Sequence, residues 1–400
     1  MNLPVLVLAR VCTTAVFMTY PACLSVLLTT WQMSATRAGI VQGVFTASFA
    51  LSLLVASVLC DRIGAKRVFR VAIMLSAITA ILFALLARSF ETAIPFIALM
   101  GLSQGGTYTP AIMLVAAHTP EKKKASAVGW VLAGMSAGYV VSIFLSTTLL
   151  TLYGYQAAFL ATASMTLLGW ALGHVAVRHA GEQAGGGSPP DTALDDGLAD
   201  APNAGLDTAM KRRARLLTIG YIGHCWELFG AWAWIPAFLA AAILARGHMS
   251  PIDLGLWTAL ALHLSGFFAS FLSGYAADRF GARCILVTFA LLGGACSLSI
   301  GWLTDLSIPL LLGITAVYGF ATIGDSSVLS SAMTDAVPAD RLGRVLGLRS
   351  ILGVGAGAMS PAMFGLTFDL APHAVAWGYA FSTLALGAVV AALCAALLYR

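Results

Sequence analysis

Along the 400 residues, long apolar runs alternate with short polar breaks. A run of about 20 apolar residues is long enough to cross a hydrocarbon core as a helix. Twelve can be read, at roughly 9–31, 38–60, 68–87, 93–117, 126–150, 155–177, 216–243, 253–277, 284–303, 308–334, 345–368 and 375–398. One break differs from the rest. Residues 178–215 contain Gly185-Gly186-Gly187-Ser188-Pro189-Pro190 and the acids Asp191, Asp195, Asp196, Asp200 and Asp207, and end in Lys211-Arg212-Arg213-Ala214-Arg215. Such a stretch buries too little apolar surface to fold alone. Its basic end fits either contact with anionic lipid heads or a plain stop at the membrane surface. The pattern predicts an all-α membrane protein of twelve transmembrane helices. A six-helix bundle over 1–177, a flexible cytoplasmic linker over 178–215 and a second six-helix bundle over 216–400 are expected.

The two halves repeat one another. Asp61-Arg62-Ile63-Gly64-Ala65-Lys66-Arg67 returns as Asp278-Arg279-Phe280-Gly281-Ala282-Arg283, at an offset of 278 − 61 = 217. Pro120-Glu121-Lys122-Lys123-Lys124 aligns with Pro338-Ala339-Asp340-Arg341-Leu342, at an offset of 338 − 120 = 218. Gly101 and Gly106 align with Gly319 and Gly324. Such repeats are the mark of two bundles related by a pseudo-two-fold axis.

Composition narrows the class. The chain is 59% hydrophobic and 10% charged, against about 25% charged in an ordinary soluble protein, so no water-exposed surface can be built from it. The net charge of +5 does not point to nucleic acid, because the basic residues sit in short loops between apolar runs. With both termini cytoplasmic, 18 of the 22 Lys and Arg, Arg10 among them, fall on the cytoplasmic side. Arg37, Arg88 and Arg246 fall outside and Arg349 lies within a span. That asymmetry sets the orientation in a cell inner (plasma) membrane. No basic region precedes the long first run, which reads as a retained span rather than a cleaved signal. The seven cysteines form no CxxC pair and read as packing residues. No Ser-His-Asp, metal-ligand or P-loop pattern is present, so neither an enzyme nor a metal or other cofactor is expected.

The loop motif carries a resemblance. Gly274-x-x-x-Asp278-Arg279-x-Gly281-x-Arg283 resembles the motif of the major facilitator superfamily of secondary transporters, between spans two and three and again between spans eight and nine. The first copy has Ser57 where that family prefers Gly. The resemblance implies a twelve-span permease working by alternating access, with Asp61, Arg62, Arg67, Asp278, Arg279 and Arg283 as gating residues. A carboxylate near a helix N-terminus with Arg beside it can lock two helices together. Proton-driven drug exporters of this family carry a Gly-Pro pair in span five. The corresponding stretch, Gly134 to Ser142, has Tyr139 in place of the Pro, which weakens an export reading.

Charged groups at mid-depth cost about 2.5–3.5 kcal/mol each on insertion scales, so they mark function. Glu227, His263 and Asp325 each lie ten or eleven residues from a span end, about 15–16 Å at about 1.5 Å per residue. Desolvated carboxylic acids exchange protons in the physiological range, and imidazole does so unaided. These three are the candidate proton-coupling residues, with a structural ion pair or hydrogen-bond clamp as the bland alternative. Tyr20, Gln104, Tyr108 and Tyr139 supply neutral groups in the first half, and in span seven His224 shares one helix face with Glu227, Ala231 and Trp234, flanked by Trp226 and Trp232. Arg349, near the cytoplasmic end of span eleven, reads equally as a snorkelling anchor or an anion contact. These eight are the candidate substrate-binding residues. The chain is expected to work as a monomer in the bilayer, with a small solute and protons as partners and no nucleic acid. The leading expectation is proton-coupled uptake of a small organic or inorganic anion. Proton-driven efflux of drugs or metabolites is the alternative, and a non-transporting membrane sensor a more distant one.

Overall fold

A computed structural model describes residues 1–181, 208–244, 246–247 and 249–398. The linker expected at 178–215 lies largely outside the described residues. Among those described, every regular element is helical. In order they are α1 (Leu3–Thr14), α2 (Thr19–Thr30), α3 (Ala35–Ile63), α4 (Ala65–Leu86), α5 (Phe90–His118), α6 (Glu121–Tyr153), α7 (Tyr155–Val177), α8 (Thr208–Leu239), α9 (Pro251–Ala259), α10 (Ser265–Phe280), α11 (Ala282–Ser299), α12 (Ile308–Ala336), α13 (Ala339–Leu370) and α14 (Ala376–Leu397). α1 and α2 make one span broken at Ala15–Met18, and α9 and α10 make another, joined by a π-helical turn at Leu260–Leu264. A second π turn, Ala240–Leu244, follows α8 and its internal Pro236. The result is the expected set of twelve long helices.

Eleven of the twelve are apolar enough along their length to cross a membrane. The other is α5, 29 residues long. Its middle reads Ser103-Gln104-Gly105-Gly106-Thr107-Tyr108-Thr109, and this polar stretch lowers its mean hydropathy. The feature that weakens its membrane signature is what gives it a role inside the bundle.

The chain divides into two compact units. Unit 1 comprises the described residues of Met1–Met33, Val44–Asp191 and Leu239–Ala259, and unit 2 those of Ser34–Gly43, Thr192–Phe238 and Leu260–Arg400. In unit 1, Leu6, Phe69, Ile73, Leu114 and Val131 bring α1, α4, α5 and α6 into one core. In unit 2, Leu217, Leu286, Phe289, Val328 and Met333 do the same for α8, α11 and α12. A second cluster in unit 2 stacks Trp234 on Phe364, with ring centres 4.9 Å apart. The Trp234 indole N–H donates to the Pro361 carbonyl at 3.0 Å, so this tryptophan ties α8 to α13. Also in unit 2, Asp369 accepts the backbone N–H of Ala35 and Thr36 at 2.9 and 2.8 Å, capping donors that the first turn of α3 leaves open.

Two loop glycines explain the repeated motif. Gly64 and Gly281 have φ of +90° and +84°, a region that residues with a Cβ rarely enter. Each sits between consecutive helices, α3–α4 and α10–α11. Gly274 is different. A Cβ placed there would meet nothing within 4 Å, so the second copy owes no closer packing to this glycine than the first, with Ser57, enjoys.

Candidate transport site

α1 starts at Leu3, earlier than the hydropathy pattern indicates. The Asn2 side chain accepts the Val5 N–H at 3.3 Å, and Pro4 occupies the first turn, a Pro position suited to helix starts. This early start corrects the placement of Arg10. It does not belong to the cytoplasmic surface but lies seven residues inside the first span, about 10 Å along the helix, and is 1% exposed. Its Nη1 donates to Thr107 Oγ1 at 2.6 Å, and Thr107 passes its own hydrogen to the Gln104 carbonyl at 2.8 Å. Tyr139 and Tyr108 are its electrostatic neighbours. Arg10 Nε has no hydrogen-bond partner. Among the described residues no carboxylate pairs with Arg10.

The other polar groups of unit 1 divide into framework and lining. Gln104 Nε2 donates to the Thr13 carbonyl at 2.8 Å and to Ser76 Oγ at 2.7 Å, so it ties α5 to α1 and α4. Tyr139 packs 5.3 Å from Phe17 and Tyr20 packs 6.4 Å from Trp31, and both are buried. Tyr108 is half-buried. The structure thus gathers Tyr108 and Tyr139 around Arg10, while Gln104 reaches it through Thr107.

Unit 2 holds the mid-depth acids. His224 on α8 approaches Asp325 on α12, with Nδ1 2.8 Å from Oδ1, and its Nε2 is 2.8 Å from Ser326 Oγ. The Nδ1 and Oδ1 atoms are within ion-pair distance but out of hydrogen-bond alignment. Glu227, one helical turn beyond His224, is 5% exposed. Its Oε1 accepts from Ser297 Oγ at 2.7 Å, and Ser297 Oγ lies 2.5 Å from the Tyr318 hydroxyl. A Cβ at Gly293 would lie 3.0 Å from Oε1, so the carboxylate packs closely against α11 at this glycine. Glu227 and Asp325 also interact electrostatically. The two acids, His224, Ser297, Tyr318 and Ser326 form a polar group enclosed by apolar helices.

The remaining candidates take other places. His263 sits in the π turn at Leu260–Leu264, buried, its ring 5.3 Å from that of Trp232. π turns inside α-helices recur at functional sites. Trp226 donates its indole N–H to the Thr383 carbonyl at 3.0 Å, which directs it at α14 and away from the His224 group. Arg349 neither snorkels nor stands open. It is buried, donates to the Leu329 carbonyl and Ser330 Oγ at 3.0 Å each, and lies 4.2 Å over the Tyr221 ring. Of the gating candidates, Asp61, Arg62, Arg67, Asp278 and Arg279 are exposed and Arg283 is half-buried.

Comparison with known proteins agrees with this architecture. The family model described as Major Facilitator Superfamily matches residues 6–352. A probable 4-methylmuconolactone transporter of Cupriavidus pinatubonensis is 22% identical over 358 residues, covering 83% of this chain and 77% of that protein. A gallate transporter of Pseudomonas putida is 24% identical over 367 residues, covering 85% of this chain and 78% of that protein. Among solved structures, a nucleoside transporter superposes with a TM-score of 0.77 at 13% identity, over 100% of this chain and 99% of that one. Twelve long helices, two compact units, a duplicated glycine-bearing loop and a family model spanning most of the chain lead to one assignment: this multi-pass membrane transporter belongs to the major facilitator superfamily.

Proposed function

We propose that the chain takes up a small organic anion across the inner membrane together with protons, by alternating access, with both termini cytoplasmic. Arg10 is the observation that carries this reading. A guanidinium taken out of water is costly unless it is paired. Among the described residues, Arg10 has one hydroxyl partner, an unused Nε–H and no carboxylate beside it. A carboxylate entering unit 1 supplies the missing charge and the planar pair of acceptors that a guanidinium fork fits. Tyr108 and Tyr139 add aromatic and hydroxyl surface beside it. The relatives that carry gallate and 4-methylmuconolactone by name favour a small, ring-derived organic solute.

Glu227 and the Asp325–His224 pair are the proton carriers in this reading. Each acid is enclosed and hydrogen-bonded or paired through groups that tolerate both protonation states, Ser297 and Tyr318 for Glu227, His224 for Asp325. His263 is assigned the lesser part, since its ring packs against that of Trp232. The assay is uptake of radiolabelled gallate into proteoliposomes with an imposed pH gradient, acid outside. Uptake is expected in the wild type, with Arg10→Gln strongly slowed at low gallate concentration and Glu227→Gln no longer answering to the gradient. Uptake that ignores the gradient in both wild type and Glu227→Gln would sink the proton coupling. Full uptake by Arg10→Gln would remove the anion anchor.

A further inference from the structure

Unit 1 carries a groove that the transport reading does not use. It has about 410 Å³ of open space, within the size range of ligand sites at about 300–1,000 Å³. One wall is α3, through Val55, Leu59 and Ile63. The other is α4, through Val71 and Leu75, and α5 forms the floor with Leu102 and Gly106. The two walls are stripes at helical spacing, positions 55, 59, 63 and 71, 75, each on one helix face. Their side chains are exposed, Val71 by 51% and Val55 by 48%. The few hydroxyls at the deep end are already engaged. Ser52 donates to the Leu102 carbonyl, and Thr79 and Ser103 pair at 2.9 Å. The groove therefore offers an almost purely apolar surface on the membrane-spanning part of the protein.

Its length and its charged end identify the occupant. From Ile63 to Ser52 the groove runs eleven residues along α3, about 16 Å, close to half of a hydrocarbon core about 30 Å thick. One acyl chain of one leaflet spans that depth. At the loop end each wall finishes in basic residues. Arg62 is three residues beyond Leu59, and Arg67 is one helical turn before Val71, with Arg70 adjoining. All three are exposed. The loop's other charges are Asp61 and Lys66, and Lys66 is turned to the carbonyls of Arg178 and Ala180 at 3.2 and 2.6 Å. Arg62, Arg67 and Arg70 against Asp61 leave an excess of two positive charges at the mouth. Basic clusters beside membrane helices attract anionic headgroups, with about 1 kcal/mol, or about fivefold in affinity, from each residue near the surface.

We infer that this groove binds an anionic glycerophospholipid from the leaflet on the α3–α4 loop side, one acyl chain between α3 and α4 and the headgroup phosphate at Arg62, Arg67 and Arg70. The loop it occupies is the first copy of the Asp-Arg-x-Gly motif, so the lipid sits against a gating element. The inference is independent of the transported solute and of proton coupling.

Native mass spectrometry of the delipidated full chain, titrated with an equimolar mixture of palmitoyl-oleoyl phosphatidylglycerol and phosphatidylcholine, tests it. The expected result is retention of one phosphatidylglycerol in preference to phosphatidylcholine, with Arg70→Ala lowering that preference about fivefold. Val71→Trp, which fills the groove and leaves the arginines in place, is expected to remove the retained lipid. Dihexanoyl phosphatidylglycerol, with the same headgroup and short chains, is expected not to be retained by the wild type, a comparison that needs no variant to fold. Equal retention of the two long-chain lipids overturns the headgroup assignment. Retention of the short-chain lipid equal to the long-chain one, or unchanged retention in a folded Val71→Trp, overturns the groove.

Discussion

At the scale of single residues, Arg10 is where sequence and structure part most. A hydropathy reading starts the first span near residue 9 and leaves Arg10 at the water surface, because only six residues, Pro4 to Ala9, separate Asn2 and Leu3 from it. The cap at Asn2 and the Pro of the first turn were the signals for an earlier start. The mid-depth acids were legible, since charge inside a long apolar run needs no geometry to be conspicuous. Their partners were not. Ser297 and Ser326 come from helices 70 and 102 positions away from Glu227 and His224, and a serine among apolar residues gives no sign of what it faces. The Arg10 reading has a consequence for stability as well as transport. Replacing a buried, carboxylate-free guanidinium with a neutral amide removes a desolvation cost. Arg10→Gln is therefore expected to unfold at the same temperature as the wild type or a higher one, while its KM for gallate rises at least about tenfold, the loss of one charge-assisted hydrogen bond of about 1.5–3 kcal/mol. Thermal unfolding in detergent and initial uptake rates check the two halves. A variant that is both destabilised and unaltered in KM would make Arg10 a packing residue.

At the scale of elements, twelve helices were legible because length and apolarity alone announce a span. What escaped was the break inside the first span and the two π turns, Ala240–Leu244 and Leu260–Leu264, since one extra residue per turn leaves no mark in hydropathy. The repeated loop was legible as charge but its reason is conformational. Gly64 and Gly281 hold the same positive φ, in a region that costs other residues about 1–3 kcal/mol. Gly281→Ala is expected to destabilise by that amount, and Gly64→Ala likewise. Gly274 lies within α10 with open space at its Cβ position, so Gly274→Ala is expected to leave stability unchanged or raise it by up to about 1 kcal/mol. Thermal unfolding of the three variants separates the cases. A loss at Gly274 equal to that at Gly281 would mean that the motif glycines act through something other than backbone conformation.

At the scale of the whole molecule, the duplicated halves have diverged in chemistry. Among the described residues, unit 1 holds a cation with no carboxylate paired to it, and unit 2 holds two acids and a histidine within one polar group. If the first binds the anion and the second the protons, coupling is a free energy between two separate sites, and it must be reciprocal. Anion binding then draws protons onto unit 2, and neutralising unit 2 removes that uptake without removing the anion's own contacts. Isothermal titration of gallate in two buffers of different ionisation enthalpy counts the protons taken up per anion bound. The wild type is expected to show net proton uptake on binding. The double variant Glu227→Gln, Asp325→Asn is expected to bind gallate within about twofold of the affinity the wild type shows when its acids are protonated, with proton uptake near zero. Loss of binding in the double variant would mean that the acids contact the solute themselves. Undiminished proton uptake would move the coupling site elsewhere, with His263, in its π turn beside Trp232, next in line.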